Sequence, residues 1–157
     1  MHKAGATRNG DYGRTDTGVQ EIVARARTAQ AEYEKNGSQE RYDRAAKAAA
    51  WAIMEPARNQ RLAELAVETT GLGNVSDKII KNHRKTLGLM QDIQHAVTFG
   101  VMSDDPKTGI TEIARPKGVV GAIVPSTNPA ATPANTIINA LKCGNSIVVA
   151  PSPKGVA

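Results

Sequence analysis

A five-residue loop, Pro125–Pro129 (PSTNP), holds the best candidate for chemistry in this sequence. Each proline fixes its own φ and biases the residue before it towards an extended backbone, so Asn128 should be extended just ahead of a helix. Its side chain could cap the backbone N–H groups of that helix, or it could point into a cleft and bind a ligand. The residue types alone favour neither role.

The cysteine and histidine residues argue against several other kinds of site. Cys143 is the only cysteine, which excludes an intrachain disulfide or an all-cysteine metal site. The three histidines (His2, His83 and His95) have no metal-ligand spacing with it, so we expect no metal. Because Cys143 ends a predicted helix and a Gly-Asn turn follows, we interpret it as a small buried residue and not as a nucleophile.

Composition and charge narrow the class of protein. The 157 residues carry a net charge of +5 but only 3% aromatic residues, so stacking platforms for nucleic-acid bases are nearly absent. The one basic cluster (Lys78, Lys81, Arg84 and Lys85) is typical of a solvated helix face, and we expect no nucleic-acid partner. No apolar run approaches the roughly 18 residues of a membrane span, and no secretory signal is evident. We therefore expect a cytoplasmic protein without a membrane partner, with a disordered arm over residues 1–17.

Four helices are predicted before residue 100. The first, from residue 18, has apolar residues at helical spacing, which predicts a core-facing stripe: Val19, Ile22, Val23, Ala26 and Ala29. Ser38 is the predicted cap of the second helix, Pro56 opens the third, and Gly71 closes it. Ser76 is the predicted cap of a fourth helix that reaches about residue 98. Its predicted stripe includes His83, which we interpret as a core or interface histidine, with Ile79, Ile80, Leu87, Met90, Ile93 and Val97.

The sequence changes character at Gly100, where strands are predicted. Residues 100–115 contain two short β-like runs around the turn sequence DPKTG, which predicts an antiparallel hairpin. Two continuous apolar runs, 118–124 and 146–150, flank a helix predicted over 131–143. That order is a βαβ unit with parallel strands. In open α/β sheets, ligands bind beyond the carboxyl ends of the strands, which is where Pro125–Pro129 lies.

The order of these motifs resembles the aldehyde dehydrogenase superfamily, and within it the CoA-acylating branch of acetaldehyde, propionaldehyde and sulfoacetaldehyde dehydrogenases. The resemblance is carried by GVVGAIVPSTNPAATPANTIINALKCGNSIVVAPSPKG over 118–155 and by AAWAIMEPARNQRLAELAVETTGLGNVSDKIIKN over 49–82. It implies an α/β fold with N-terminal helices (18–99), a hairpin of the oligomerisation type (100–115), and the first βαβ unit of a Rossmann-like, NAD(P)-binding sheet (116–157). Such a fold is incomplete on its own, since two parallel strands and one helix cannot cover both faces of a sheet.

The resemblance also implies an activity. The branch converts an aldehyde, NAD(P)+ and CoA into acyl-CoA and NAD(P)H through a cysteine nucleophile, and that cysteine would lie beyond the end of this chain. The implied partners are a small aldehyde, with sulfoacetaldehyde favoured, NAD or NADP, coenzyme A as co-substrate, and further copies of the full-length protein in a homo-oligomer. The 157 residues alone should then be inactive.

Individual site residues follow from the same resemblance. Asn128 matches the asparagine that stabilises the oxyanion of the thiohemiacetal and thioester intermediates. Pro125, Ser126 and Thr127 would line the nicotinamide end of the cofactor. Residues after the second strand would lie along the adenosine ribose, namely Pro151, Ser152 and Pro153. Non-acylating relatives have Lys and Glu where this sequence has Ala150 and Pro153, which leaves the choice between NAD and NADP open.

A different class of function is also consistent with the sequence. The chain could be a non-catalytic interaction or oligomerisation module, since a hairpin offers edge backbone for pairing with another chain. A downstream cysteine on a strand and a glycine-rich phosphate turn would decide in favour of the enzyme.

Overall fold

The structure, a computed structural model, describes residues 17–154. The elements in chain order are α1 (Thr17–Lys35), α2 (Gln39–Met54), α3 (Pro56–Thr70), α4 (Val75–Ile93), β1 (Gly100–Asp105), β2 (Ile110–Ala114), β3 (Val119–Ile123), α5 (Ala131–Lys142) and β4 (Ser146–Ala150). The predicted α/β class, with four helices, a hairpin and one βαβ unit, is confirmed. The predicted arm over 1–17 lies outside the described residues except for Thr17, which begins α1. Over 17–154, no helix has the length and apolarity needed to cross a membrane.

Local capping explains most helix boundaries. Ser38 Oγ accepts a hydrogen bond from Arg41 N at 3.1 Å, as predicted for the start of α2. Pro56 opens α3, and Gly71 ends it with φ of +67°, a conformation that suits glycine. The predicted cap of α4 was wrong: Asn74 Oδ1 accepts from Asp77 N at 2.9 Å, and Ser76 lies inside the first turn. Asn74 takes the cap because it has the extended backbone that a cap residue needs.

The buried face of α4 also differs from the prediction. Its fully buried residues are polar (Lys78, Asn82 and Thr86), whereas His83 is exposed and Ile80 is 63% exposed. Asn82 Nδ2 donates to Asn59 Oδ1 of α3 at 3.0 Å, and Asn59 Nδ2 donates to the carbonyl of Ile79 at 3.1 Å. Because these amides bond to one another, the polar face can turn inward. His83 is therefore not a core histidine.

Hydrogen bonds to the residues around the start of β4, more than the predicted apolar stripe, hold α1 in place. Val19 and Ile22 are exposed, while Gln30 is buried. Gln30 Nε2 donates to the carbonyl of Gly144 at 2.9 Å, and its Oε1 accepts from Ser146 N. Ser146 Oγ in turn donates to the carbonyl of Ala26 at 3.0 Å. These bonds tie α1 to the start of β4.

The strands form two separate pairs. β1 and β2 are antiparallel, and Asp105 accepts from Lys107 N and Thr108 Oγ1 in their turn, both at 2.9 Å. β3 and β4 are parallel, with Val119 opposite Ser146 and Ile123 opposite Ala150. Side chains alternate along a strand, so residues 119, 121 and 123 of β3 share one face with residues 146, 148 and 150 of β4. This face lies against α1, and the intervening residues face α5.

The core lies where α5 crosses α2 and α4. Ala46 and Ala50 of α2 pack against Ile138, and their small side chains let the helices approach closely. Tyr42 is fully buried beside Phe99, with ring centroids 5.8 Å apart. Buried Lys142 forms an ion pair with Asp43 of α2. These contacts hold α5 in place, and α5 in turn positions the loop that precedes it.

Candidate active site

Parallel pairing brings the two candidate loops to the same edge of the sheet. Ile123 lies opposite Ala150, and Val124 N donates to the carbonyl of Ala150 at 3.0 Å. The loop Pro125–Pro129 and the turn Pro151–Pro153 therefore start side by side. Both follow the carboxyl ends of strands, which is the ligand-binding edge of an open α/β sheet.

The side chain of Asn128 forms no hydrogen bond with the N-terminus of α5. Its backbone carbonyl accepts from Thr132 N at 3.4 Å, and the N-cap position belongs to Ala130, which provides no side-chain cap. Asn128 Oδ1 is buried and has no hydrogen-bond partner among residues 17–154. A buried polar group without a partner costs about 1–3 kcal/mol. The sequence left two roles open for Asn128, capping the helix or binding a ligand. The structure shows no capping bond from Asn128, so ligand binding is the role that remains.

The remaining predicted site residues differ in exposure. Pro125 and Thr127 are exposed and Ser126 is half-buried, so this part of the loop can contact a ligand. Pro151 and Pro153 after β4 are also exposed.

Ser152 lies between those two prolines and shares one feature with Asn128. Its Oγ is buried, and the part of the chain that the structure describes offers it no hydrogen-bond partner. Each loop at this edge therefore carries one buried polar oxygen that a ligand could satisfy. An unpartnered polar atom on each loop is consistent with a polar ligand bound between the two loops.

The opposite edge of the sheet is closed by Asn145. Its buried Oδ1 accepts from Lys117 N at 2.7 Å and from Gly118 N at 2.9 Å, which joins the start of β4 to the start of β3. Gly144 precedes it with φ of +71°. The Gly-Asn pair before an apolar run was the sequence signal for this link, although it did not reveal the partners.

Cys143 lies far from the candidate loops. It is the C-cap of α5 and is exposed, so the prediction that it is buried was wrong. The helix turns it outward because the buried stripe of α5 passes through Ile138 and Lys142 instead. With 12 residues in α5, a rise of 1.5 Å per residue puts the two ends of the helix about 18 Å apart. Cys143 cannot act with Asn128 on one small substrate.

No group of three or more His, Cys, Asp or Glu side chains within residues 17–154 could hold a metal ion. The candidate site consists of two polar, proline-rich loops, Pro125–Pro129 and Pro151–Pro153, at the carboxyl ends of the parallel strands β3 and β4.

Comparison with known proteins decides the family. The family model described as "Aldehyde dehydrogenase family" matches residues 12–157. The chain belongs to the aldehyde dehydrogenase family. It is 67% identical over 137 residues to a sulfoacetaldehyde dehydrogenase (acylating) of Cupriavidus necator, a match that covers 87% of this chain and 28% of that relative.

Two solved structures superpose on this chain and support the fold. An acetylating aldehyde dehydrogenase of Geobacillus thermoglucosidasius superposes with a TM-score of 0.83 at 36% identity, covering 88% of this chain and 30% of that one. An engineered glycolyl-CoA reductase with bound NADP+ superposes with a TM-score of 0.69 at 29% identity, covering 86% of this chain and 30% of that one. The resemblance to acylating aldehyde dehydrogenases inferred from the sequence is confirmed, and the chain spans less than a third of the length of these proteins.

Proposed function

We propose that these residues are the N-terminal portion of an NAD(P)-dependent, CoA-acylating aldehyde dehydrogenase, with its cysteine nucleophile elsewhere in the full-length protein. The reaction would convert an aldehyde, NAD(P)+ and CoA into acyl-CoA and NAD(P)H. The observation that carries the proposal is the state of Asn128: it lies at the ligand-binding edge, it does not cap α5, and its side chain makes no hydrogen bond with residues 17–154, which leaves the Nδ2 N–H groups free to donate to a ligand.

Asn128 would act as the oxyanion donor. When a thiolate adds to the aldehyde carbonyl, negative charge develops on the oxygen, and a side-chain N–H already in position stabilises it. Pro129 restricts the backbone of the preceding Asn128, so little reorganisation is needed when the charge forms. Removing one such donor typically raises the barrier by about 3–4 kcal/mol.

The cofactor would lie along the same edge. Pro125, Ser126 and Thr127 would line the nicotinamide end, and Pro151, Ser152 and Pro153 would lie along the adenosine ribose. When bound, the nicotinamide supplies the hydride acceptor. Ser152 Oγ, which has no partner in the described chain, is consistent with a polar ligand after β4.

Sulfoacetaldehyde is the proposed substrate of the full-length protein. The support is the 67% identity to a sulfoacetaldehyde dehydrogenase (acylating), which is well above the 36% identity to the acetylating enzyme of known structure. Under this proposal the described residues would contribute the oxyanion donor, and most of the substrate pocket, including the groups that recognise the sulfonate, would lie in other parts of the protein.

The hairpin would serve assembly in the full-length protein. Its side chains are almost all exposed, including Val101, Met102, Ile110 and Ile113. An isolated two-stranded hairpin is only marginally stable in water. Apolar side chains on both strands would therefore be stabilised by a second copy of the protein, as expected for a homo-oligomer.

Substitution of Asn128 in the full-length protein tests the catalytic proposal. Asn128→Ala should lower kcat and kcat/KM by about 100-fold or more, with little change in the dissociation constant of the cofactor. Asn139→Ala is the matched control, because Asn139 is an exposed asparagine of α5. If kcat of Asn128→Ala equalled that of the control, Asn128 would be a structural residue and the oxyanion role would be wrong.

A further inference from the structure

A groove between α3 and α4 lies outside the candidate site and has no part in the proposed function. Its volume is about 490 Å³, and its apolar lining comes from Met54, Pro56, Ile79 and Ile80. Ile80 and Leu87, two turns apart on α4, are both exposed. Apolar side chains spaced like these on one helix face pack against another element, and where they are exposed they mark an interaction surface.

The groove also carries positive charge. His83 and Arg84 lie on α4 between Ile80 and Leu87, and both line the groove. Among residues 17–154, neither forms a salt bridge. The sequence of α4 contains no Asp or Glu from residue 78 to residue 91. A guanidinium that is free to pair bonds a carboxylate through two parallel hydrogen bonds, so this side of the groove suits an acidic group.

The carboxylates closest to the groove in sequence do not balance this charge. Glu55 accepts hydrogen bonds from backbone N–H groups in the first turn of α3. Glu64 lies 3.9 Å from Arg61, and Asp77 accepts a hydrogen bond from Asn74 Nδ2 at 2.7 Å. All three carboxylates therefore have partners on their own helix or its cap, and none of them lines the groove.

The occupant of the groove must then supply acidic residues, and no described helix can do so. None of α1 to α5 has more acidic than basic residues, so a helix from this part of a second copy would bring no net negative charge. Ile80 and Leu87 fit the anchors of a helix lying along α4, since such anchors recur every three, four or seven residues. We propose that the α3–α4 groove binds an amphipathic helix of a partner protein, which places apolar side chains against Ile80 and Leu87 and a carboxylate on Arg84.

Fluorescence anisotropy with designed peptides tests this proposal on the full-length protein. The probe is a labelled helical peptide of about five turns, with leucine along one face and glutamate on both sides of that face. One comparison peptide has lysine in place of each glutamate, and the other is a scrambled acidic peptide without a leucine face. The acidic peptide should bind about tenfold or more tightly than either, since one hydrogen bond to a charged group, or one buried apolar side chain, corresponds to about 10- to 150-fold in affinity.

Two variants and one control assign binding to the groove. Arg84→Glu should weaken the acidic peptide by about tenfold or more and strengthen the lysine peptide, a reversal that also shows the variant to be folded. Ile80→Ser should weaken the acidic peptide without strengthening the lysine peptide. Arg44→Glu makes the same charge change on α2, about 15 Å along the helix from Met54, and should leave both affinities within about twofold because salt screens that distance.

Three outcomes would overturn the proposal. Absence of binding by the acidic peptide would mean that other parts of the full-length protein fill the groove. An equal effect of Arg44→Glu and Arg84→Glu would mean that overall charge, and not the groove, attracts the peptide. Binding of anionic phospholipid vesicles with the same dependence on Arg84, and of no peptide, would mean that α4 contacts a membrane surface. None of these measurements involves aldehyde oxidation, so their outcome is independent of the proposed function.

Discussion

Gly144, in the turn between α5 and β4, should tolerate no side chain. A Cβ at Gly144 would lie 2.4 Å from two ring carbons of Tyr42 and 2.6 Å from its hydroxyl oxygen. The ring cannot move away, because Tyr42 is fully buried and contacts Tyr33 and Phe99. The backbone of Gly144 also has φ of +71°, which a residue with a Cβ adopts at a cost.

The expected loss of stability has two parts that a control can separate. Placing alanine in the left-handed conformation costs about 1–2 kcal/mol. Overpacking a filled core costs about 1–3 kcal/mol more. Gly144→Ala should therefore lower the free energy of unfolding by about 2–5 kcal/mol. Gly71→Ala is the matched control, because Gly71 also follows a helix, has φ of +67°, and has no described atom within 4 Å of the point that a Cβ would occupy.

Urea unfolding of the full-length protein and both variants measures the difference. Gly71→Ala should lose only the backbone part, about 1–2 kcal/mol, and Gly144→Ala should lose about 1–3 kcal/mol more. Adding Tyr42→Leu to Gly144→Ala should produce less than the sum of the two single losses, since the ring atoms in conflict are gone. If the two glycine variants were equally stable, Tyr42 would not restrict this turn and the packing described for α2 against α5 would be wrong.

Three further predictions concern the core and the isolated chain. Tyr42→Phe should leave the melting temperature unchanged or raise it, because the Tyr42 hydroxyl is buried with no partner among residues 17–154; a fall of several degrees would contradict this. Burial alone would raise the pKa of Asp43, but hydrogen bonds from Lys142 and Gln39 hold that pKa below its ordinary value. Its contribution should be present above the unfolded pKa of about 4 and be lost as pH falls through the folded pKa, so Asp43→Asn should cost about 2 kcal/mol near pH 6 and progressively less as pH falls below about 4; a cost that did not change with pH would contradict this. The 157 residues alone should not be a stable monomer, because Ile123 is 91% exposed beside an open groove of about 790 Å³ between α1 and β3; light scattering that showed a monomer with cooperative unfolding would contradict this.

Features governed by local chemistry could be predicted from the sequence. Ser38, Pro56 and Gly71 act within one turn of their own position, and their roles in capping and ending helices followed from residue type. The βαβ unit was predictable for a similar reason, since two apolar runs around an amphipathic one have few alternative arrangements. The placement of Pro125–Pro129 at the end of β3 followed from that order alone.

Features that depend on distant partners could not be predicted. The inward face of α4 is set by the amide of Asn59 in α3, which is 23 residues before Asn82. The attachment of α1 depends on Gln30, which bonds to Gly144 across 114 residues. The orientation of Asn128 is of the same kind: Pro129 predicts an extended backbone there, but the packing around the loop decides whether the amide caps a helix.

Oxidation of sulfoacetaldehyde by the full-length protein tests the central claim most directly. The measurement is the rate of NAD(P)H formation from sulfoacetaldehyde with NAD+ or NADP+, in the presence and absence of CoA, together with the identity of the thioester by mass spectrometry. We predict that NAD(P)H formation requires CoA, that sulfoacetyl-CoA appears in equal amount, and that Asn128→Ala suppresses both by about 100-fold or more while Asn139→Ala does not. Turnover that is independent of CoA and yields a free acid, or full activity in Asn128→Ala, would contradict the proposed function.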